Sequence, residues 1–208
     1  MKLFYSSTSP YARKVQMLAM ELGIDAQLEQ CELHPLKNAR ELATVNPLGK
    51  VPALVTPKGG LVVDSPVICA WLDNHAVQLG KKTLLGESRE RQQQIRELEA
   101  LADGIMDPAF LLVMEAARPQ QQQSTQWRQR WRDAIHRTLD YLDKERCREL
   151  SSGATVTLAE LAMACALGYL DFRHTDMNWR EGRADLSGWF DAIQQRHSFH
   201  ATLPPGAS

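Results

Sequence analysis

Ser9 and Pro10 are the first residues whose types and spacing indicate chemistry. Serine is a preferred N-cap, and proline suits the first helical position because its missing N–H would be unpaired there in any case. The same pair also suits an anion. A hydroxyl beside free N–H groups at the positive end of a helix dipole stabilises negative charge, including that of a thiolate. The sequence therefore predicts either a helix cap or an anion site here.

Val51 and Pro52 open a run of β-forming residues. A proline at the start of a strand is typical of an edge strand or a bulge. The alternative is a cis peptide bond, which would turn the N–H and C=O of Val51 outward, where they could pair with an extended peptide. The sequence alone does not show the isomer.

Asp64, Ser65 and Pro66 repeat the arrangement of a cap followed by proline at a later helix. Capping explains them on local grounds. Functionally, a serine hydroxyl and helix N–H groups suit a carboxylate, whereas Asp64 suits an ammonium group. Together they match the head group of an amino acid.

These three stretches stand at the ends of predicted elements of a small α/β module. Alternation predicts strands and helical spacing predicts helices. In chain order we expect a strand at 2–6, a helix from Pro10 that ends just before Gly23, a strand at 26–33, a helix at 38–45, strands at 51–55 and 61–63, and a helix from 65. The first crossover predicts a parallel pair of strands. Such sheets bind ligands at the carboxyl ends of their strands.

The second half of the chain shows only helical periodicity. Residues 78–89 break both periods and contain Gly80 and Gly86, so they form the predicted linker. The expected domains are 1–77 and 90–208. The predicted helices of the second domain are 89–113, 125–149, 157–173 and 185–196.

Composition excludes several classes of function. The 208 residues include 24 basic and 25 acidic side chains, and a net charge of −1 gives no field that would attract nucleic acid or an anionic membrane. The arginines and tryptophans of 127–137 favour a solvated helix face with the tryptophans packed inward. Four scattered cysteines and six histidines lack the spacing of a metal site. We expect no metal, no nucleic-acid or membrane partner, and a cytoplasmic location.

Three motifs taken in order resemble the N-terminal domain of the cytosolic glutathione transferases: STSPYARKV at 7–15, NPLGKVPAL at 46–54 and DSPVICAWL at 64–72. In the helical half, TLAE at 157–160 is a capping box and is similar to the family's usual cap. EALADGIMD at 99–107 resembles a bacterial subgroup of the family. The resemblance implies an α/β thioredoxin-like N-terminal domain followed by an all-α C-terminal helical domain.

The resemblance also implies a glutathione site. Ser9 would be the catalytic residue, because its hydroxyl would hydrogen-bond the glutathione sulfur. Val51 would pair through its backbone with the cysteinyl unit, and Asp64 and Ser65 would hold the γ-glutamyl end.

Two parts of the expected site are less defined. The glycine carboxylate of glutathione would be bound by Lys37, Asn38 or Lys50, among which the sequence does not choose. A second substrate would meet an apolar pocket between the domains, and the candidates for that pocket are Tyr11, Met106, Phe110 and Met114. At helical spacing the same residues also fit a plain core.

The implied function is that of a glutathione transferase, a transferase of alkyl or aryl groups that serves detoxification and activates the glutathione thiol for attack on an electrophile or a peroxide. Glutathione would be the co-substrate, a small hydrophobic electrophile the second substrate, and a homodimer the assembly. Ser9-Pro10-Tyr11-Ala12 also resembles the glutaredoxin motif C-P-Y-C without either cysteine, so no residue here can form a mixed disulfide. Tyr5 is a rival partner for the sulfur. The alternatives are a glutathione-dependent disulfide or peroxide reductase and a non-catalytic interaction protein with this fold.

Overall fold

The chain folds as two units: Met1–Gln93 together with the C-terminal segment from Arg196, and Gln94–Gln195. The structure, a computed structural model, describes residues 1–151, 153 and 155–207. The domain limits expected from the sequence stay a prediction, and they place the C-terminal segment with the helical half. In the structure this segment groups with the first unit.

The first unit contains a four-stranded mixed sheet with helices along the chain between its strands. Its elements are β1 Lys2–Tyr5, α1 Pro10–Glu21, β2 Glu29–Glu32, α2 Ala39–Val45, β3 Ala53–Val55, β4 Leu61–Val62 and α3 Ser65–Gln78. The strand order is β2-β1-β3-β4, in which β1 and β2 are parallel and the other pairs are antiparallel. The predicted order of elements is confirmed.

The core of the first unit forms where α1 and α3 present apolar faces. Leu3 of β1 and Leu54 of β3 are fully buried, as are Leu18 of α1 and Leu72 of α3. Alternation along the strands and three- or four-residue spacing along the helices place these side chains on inward faces. On the other side of α3, Trp71 stacks on His75 with ring centroids 5.3 Å apart.

The C-terminal segment forms a short helix, α8 His197–Ala201, which packs against α1. Phe199 is 5% exposed. At the end of α1, the Glu21 carboxylate accepts hydrogen bonds from Arg196 at 2.9 and 2.7 Å and from the Ser198 hydroxyl at 2.6 Å. The segment is thus a structural part of the α/β unit.

All the regular secondary structure among the described residues of the second unit is helical. Its helices are α4 Arg89–Ala116, which begins in the first unit, α5 Thr125–Tyr141, α6 Leu158–Arg173 and α7 Ala184–Ile193. Every residue from Leu158 to Leu170 is buried, so α6 is the core of this unit. Thr157 and Glu160 form the predicted capping box, in which the Glu160 carboxylate accepts from the Thr157 N–H at 2.7 Å.

Two details of the α5 region differ from the sequence prediction. The predicted single helix 125–149 is α-helical only to Tyr141 and continues as a π-turn, Leu142–Arg146, and a 3₁₀ turn, Cys147–Glu149. Trp127 is 52% exposed and stacks on Trp131 with centroids 5.8 Å apart, so the expectation that the tryptophans pack inward is wrong for Trp127. The physical reason is that only Ile135 and Leu139 of α5 are buried.

No helix in the described part of the chain is both long and apolar enough to cross a membrane.

Candidate functional site

The register of the sheet brings four connecting segments to one edge. β1 and β2 are parallel, and their last residues, Tyr5 and Glu32, are partners. β3 runs the other way, so its first residue, Ala53, lies beside Phe4 near the end of β1. The last residue of β4, Val62, lies beside Leu54 near the start of β3. The chain therefore leaves β1, β2 and β4 and enters β3 at the same edge.

This edge collects the residues that the sequence singled out. Ser9 follows β1, Lys37 and Asn38 follow β2, Lys50 and Val51 precede β3, and Asp64 and Ser65 follow β4. Because each lies within a few residues of a strand end, the sheet places all of them on the same side of the unit. The carboxyl ends of the parallel pair form part of this edge, as expected for a ligand site in such a sheet.

Ser9 is the N-cap of α1, and Pro10 is its first residue. The Ser9 hydroxyl oxygen accepts the Ala12 N–H at 3.2 Å, and the Ser9 carbonyl accepts the Arg13 N–H at 3.0 Å. The hydroxyl hydrogen of Ser9 has no acceptor among the described residues. Ser9 is thus both a cap and a spare donor at the positive end of α1, which joins the two roles that the sequence left as alternatives.

The Val51–Pro52 peptide bond is cis. Pro52 lies immediately before β3, which is an inner strand of the sheet, so the interpretation as an edge strand is wrong. The N–H and C=O of Val51 make no hydrogen bond to any described residue. Both groups are therefore available to an extended ligand.

Asn46 shapes the loop that leads to Val51. Asn46 is only 1% exposed. Its side-chain amide donates to the Lys50 carbonyl at 2.7 Å, and its side-chain oxygen accepts the Leu48 N–H at 3.0 Å. Gly49 donates to the Asn46 carbonyl at 2.8 Å and has a φ of 61°, a conformation that favours glycine. Sequence reasoning assigned no role to Asn46, although an Asn-Pro-x-Gly stretch is typical of a turn braced by its asparagine.

Asp64 and Ser65 lie at the start of α3, one position further along the helix than the cap prediction placed them. Asp64 occupies the N-cap position without a side-chain capping bond, and Ser65 is the first helical residue. Neither side chain has a hydrogen bond or ion pair among the described residues, and the same holds for the N–H groups of Ser65 and Val67. The prediction that Ser65 caps the helix is therefore wrong. Its hydroxyl and the two N–H groups are left for an anion.

Ser65 and Asp64 differ in exposure. Ser65 is 3% exposed as a residue. No side-chain oxygen or nitrogen among the described residues is both fully buried and without a hydrogen bond, so the Ser65 hydroxyl, which has no hydrogen bond, retains contact with solvent. The Ser65 hydroxyl is therefore recessed but reachable. Asp64 is exposed, and its carboxylate can meet a cation at the surface. The Val63–Asp64 peptide bond is cis.

The three candidates for a second carboxylate site differ in their bonding. The Asn38 side-chain oxygen accepts the His34 N–H at 3.0 Å, which leaves its NH₂ group as the available donor. Lys37 and Lys50 are exposed and form no ion pair among the described residues. All three can donate to an anion.

Tyr5, the rival for the sulfur position, is the last residue of β1. Burial, followed by the negative charges of Glu32 and Cys31, raises the pKa of Tyr5 above its usual value of 10.0. Hydrogen bonds from the Ser7 hydroxyl and N–H lower the pKa of Glu32, so that carboxylate is ionised and tethers the loop after β1. Tyr5 therefore stays a neutral phenol, which keeps its O–H as a hydrogen-bond donor, whereas the Ser9 hydroxyl lies at the amino terminus of α1. The choice between Tyr5 and Ser9 as the partner of the sulfur stays a prediction.

The residues predicted for a second substrate lie in different units. Tyr11, in α1, is partly exposed; Met106, in α4, is fully buried; and Phe110, also in α4, is 43% exposed. Met114, the fourth candidate, is also in α4 and is partly exposed. The accessible candidates are thus Tyr11, Phe110 and Met114, and the pocket stays a prediction.

Thiols and metal ligands do not form a site in the described part of the chain. Cys69, Cys147 and Cys165 are buried, and burial raises the pKa of Cys147 to about 11. Cys31, on β2, is partly exposed, forms no disulfide bond, and donates its S–H to the Glu29 carboxylate at 4.0 Å. No group of three or more His, Cys, Asp or Glu side chains among the described residues is arranged to hold a metal ion.

Comparison with known proteins identifies two family models in the chain. The N-terminal domain of glutathione S-transferase matches residues 8–75, and the C-terminal domain of glutathione S-transferase matches residues 125–192. The first match contains the candidate residues for the glutathione site from Ser9 to Ser65, whereas Tyr5 lies before it.

Relatives of known sequence or structure agree with these models. The chain is 40% identical over 207 residues to the uncharacterised GST-like protein YibF of Escherichia coli K12, with 100% of both chains covered. It is 39% identical to a glutathione transferase family member from Pseudomonas fluorescens Pf-5 solved with bound glutathione, with 98% of each chain covered and a TM-score of 0.91. It is 33% identical to a glutathione S-transferase from Methylobacillus flagellatus KT solved with glutathione, with 98% of each chain covered and a TM-score of 0.87.

Proposed function

Because the chain belongs to the glutathione S-transferase family, we propose that it binds glutathione at this sheet edge and activates the glutathione thiol. The observation that carries the proposal is the meeting of three kinds of group at one edge: the spare hydroxyl of Ser9, the unpaired backbone of Val51, and the unpaired terminus of α3. Glutathione needs all three, since it offers a thiol, an extended peptide and an amino-acid head group. The relatives solved with glutathione support the same assignment.

The binding of each part of glutathione follows from the available groups. The γ-glutamyl carboxylate would accept from the Ser65 hydroxyl and from the N–H groups of Ser65 and Val67, where the α3 dipole adds to the attraction. The γ-glutamyl ammonium would pair with the Asp64 carboxylate. The cysteinyl unit would pair with the N–H and C=O of Val51 as one strand pairs with another.

The catalytic step would take place at Ser9. The Ser9 hydroxyl donates to the glutathione sulfur, and this hydrogen bond, with the amino terminus of α1, stabilises the thiolate over the thiol. The thiol proton leaves to solvent, the sulfur forms a bond to an electrophilic carbon, and the leaving group departs with the electron pair of the bond that breaks. The reaction is the transfer of an alkyl or aryl group to glutathione, without a metal ion.

The second substrate and the assembly are further parts of this proposal. A small hydrophobic electrophile would contact Tyr11 and Phe110, whereas Met106 would have to move to contact it because it is fully buried. A homodimer and a cytoplasmic role in detoxification agree with membership of the family. Sedimentation equilibrium of the purified chain measures the assembly directly.

The absence of cysteine from Ser9-Pro10-Tyr11-Ala12 favours transfer over disulfide exchange through the protein's own thiol. A second candidate is a reductase in which two glutathione molecules supply the redox chemistry. Activity assays with different substrates distinguish this reductase from a transferase. We expect turnover with a chloronitrobenzene to exceed turnover with a hydroperoxide or a mixed disulfide.

Titration calorimetry with reduced glutathione tests the binding site. We expect binding by the natural chain and affinity about tenfold lower in Ser65→Ala and in Asp64→Asn, because each loses a charge-assisted contact worth about 1.4 kcal/mol. Ser124→Ala is the matched control, since it removes a serine cap from α5 in the other unit. If the natural chain does not bind at millimolar glutathione, the proposed function is wrong and an interaction protein with this fold takes its place.

A further inference from the structure

The side chain of Arg13 connects the start of α1 to the C-terminal segment of the chain. Arg13 is 6% exposed. Its Nη2 donates to the Phe199 carbonyl at 2.8 Å, and its Nε donates to the Thr202 hydroxyl at 3.2 Å. The guanidinium carbon also lies 4.0 Å from the centre of the Phe199 ring.

These contacts fix the guanidinium in several directions at once. Two hydrogen bonds in the plane and an aromatic ring over the face leave a planar group little freedom to translate or rotate. The receiving segment is itself ordered, because the Thr202 hydroxyl donates to the Ser198 carbonyl at 2.7 Å and Phe199 is almost fully buried. Arg13 is therefore anchored to a rigid partner.

The backbone of Arg13 carries this anchoring to Ser9. The Arg13 N–H donates to the Ser9 carbonyl at 3.0 Å, and the neighbouring Ala12 N–H donates to the Ser9 hydroxyl oxygen at 3.2 Å. The rotamer that accepts from Ala12 is also the one that leaves the hydroxyl hydrogen for a ligand. A shift of this first turn would move that hydrogen and the helix terminus together.

We propose that Arg13 is a positioning residue, which uses Phe199 and Thr202 of the C-terminal segment to hold Ser9 in the orientation that stabilises the glutathione thiolate. This inference rests on the proposed function, which it deepens by naming what orients the donor. Arg13 does not touch the ligand in this role. It acts through the first turn of α1.

The test compares Arg13→Met with Glu21→Gln. Both substitutions remove a charged contact between α1 and the C-terminal segment, but Glu21 lies at the opposite end of the helix, about 18 Å from Ser9 at 1.5 Å per residue. The thiol pKa of bound glutathione is followed by the ultraviolet absorbance of the thiolate as a function of pH. Amide hydrogen exchange of Ala12 and Arg13 is followed in the ligand-free chain.

We expect Arg13→Met to speed exchange of the amides at positions 12 and 13 by tenfold or more, after correction for the changed side chain. It should also raise the pKa of the bound glutathione thiol by about one unit and lower kcat about tenfold, with little change in KM for glutathione. Glu21→Gln should leave the thiol pKa and first-turn exchange unchanged. Arg13→Lys, which keeps the positive charge and can donate to one of the two acceptors but lacks the planar guanidinium, should recover part of the loss.

The outcomes separate this inference from the proposed function. If the natural chain forms a thiolate with glutathione and Arg13→Met forms it at the same pH, the inference is overturned and the proposed function stands. If Glu21→Gln shifts the thiol pKa as much as Arg13→Met, the effect is general loosening and the inference is again overturned. If the natural chain forms no thiolate, the proposed function fails and the positioning role of Arg13 fails with it, whatever the amide exchange shows.

Discussion

Ser9 accepts one hydrogen bond and keeps its own hydrogen for a ligand. A hydroxyl in this state is a better donor than one with no acceptor role, because successive hydrogen bonds polarise one another. It also lies at the end of α1 where partial positive charge collects. Small displacements of this one group therefore matter more to the proposed chemistry than changes elsewhere on the sheet edge.

Ser9→Ala should raise the pKa of the bound glutathione thiol by about one unit and lower kcat by about 10- to 100-fold, since it removes the donor to the sulfur. The dissociation constant for glutathione should change by less than about threefold, because the γ-glutamyl contacts remain. Thiolate absorbance, steady-state kinetics and calorimetry measure these three quantities.

The controls for Ser9 separate chemistry from capping. Ser9→Thr keeps a hydroxyl and should keep most of the activity. Ser9→Gly lacks the hydroxyl but costs only a few tenths of a kcal/mol as a cap, so it should lose activity without losing stability. Full turnover in Ser9→Ala would remove Ser9 from the mechanism.

The residue that binds the glycine carboxylate can be identified with a shortened ligand. γ-Glutamylcysteine lacks the glycine, so the correct substitution among Lys37→Met, Lys50→Met and Asn38→Ala should weaken glutathione about five- to tenfold and leave γ-glutamylcysteine unaffected. Equal losses with both ligands would show that the altered residue acts on another part of the site. Calorimetric titration of each variant with both peptides makes the comparison.

At the scale of elements, periodicity predicted most of the fold. β1 is a run of two-residue period, and β3 and β4 lie in runs of β-forming residues on either side of a turn with two glycines. α1 has a cap and a proline at its start and a glycine just past its end, as expected. The π-turn Leu142–Arg146 was not predictable, because its residues continue the helical period in the sequence. The change from α-helix to π-turn accompanies tertiary packing, in which Leu142 is fully buried, and the sequence pattern does not show that packing.

The candidate site was predicted in part for the same reason. Local signals identified the cap at Ser9 and the carboxylate at Asp64, because capping chemistry depends on neighbours in sequence. The spare hydroxyl of Ser65 and the loop brace of Asn46 depend on where the backbone bends after folding. The isomer of Val51–Pro52 has no sequence signal at all.

The contact of α1 with α8 gives a prediction about acid. Although burial acts the other way, hydrogen bonds from Arg196 and Ser198 hold the pKa of Glu21 below its usual value of 4.5. A group whose pKa is lowered by folding contributes stability above its unfolded pKa and loses that contribution as the pH falls through its folded pKa.

Glu21→Gln should therefore lower the free energy of unfolding by about 1.5 kcal/mol at neutral pH, and the difference from the natural chain should begin to shrink near pH 4.5 and vanish at lower pH. Urea denaturation of both chains at a series of pH values measures it. Lys2→Met, which removes an exposed ion pair with Glu29, is the control and should change little. A Glu21→Gln difference that persists undiminished below the folded pKa would contradict the ionic origin.

At the scale of the whole molecule, the first unit is not continuous in the sequence. The chain leaves the first unit along α4, forms the helical unit, and returns to the first unit from Arg196 onward. The α/β unit therefore consists of two segments separated by about a hundred residues of the helical unit. The segment from Arg196 onward is therefore synthesised after the helical unit.

A chain that ends at Gln195 should lose about 3 kcal/mol or more of stability in the first unit, since it loses the buried Phe199 side chain and the hydrogen bonds to Arg13 and Glu21. Amide exchange along α1 should rise throughout the helix. A chain that ends at Pro204 keeps these contacts and serves as the control. Equal protection of α1 in both shortened chains would show that the C-terminal segment is dispensable.

The five tryptophans of the chain are divided unequally between the units. Trp71 lies in α3 of the first unit, stacked on His75, while the other four lie in the helical unit. Trp71 is also six residues, or about 9 Å along the helix axis, from Ser65. The difference in fluorescence between the natural chain and Trp71→Phe is therefore an intrinsic optical signal of the α/β unit, through which its unfolding and its ligand occupancy can be read without a label.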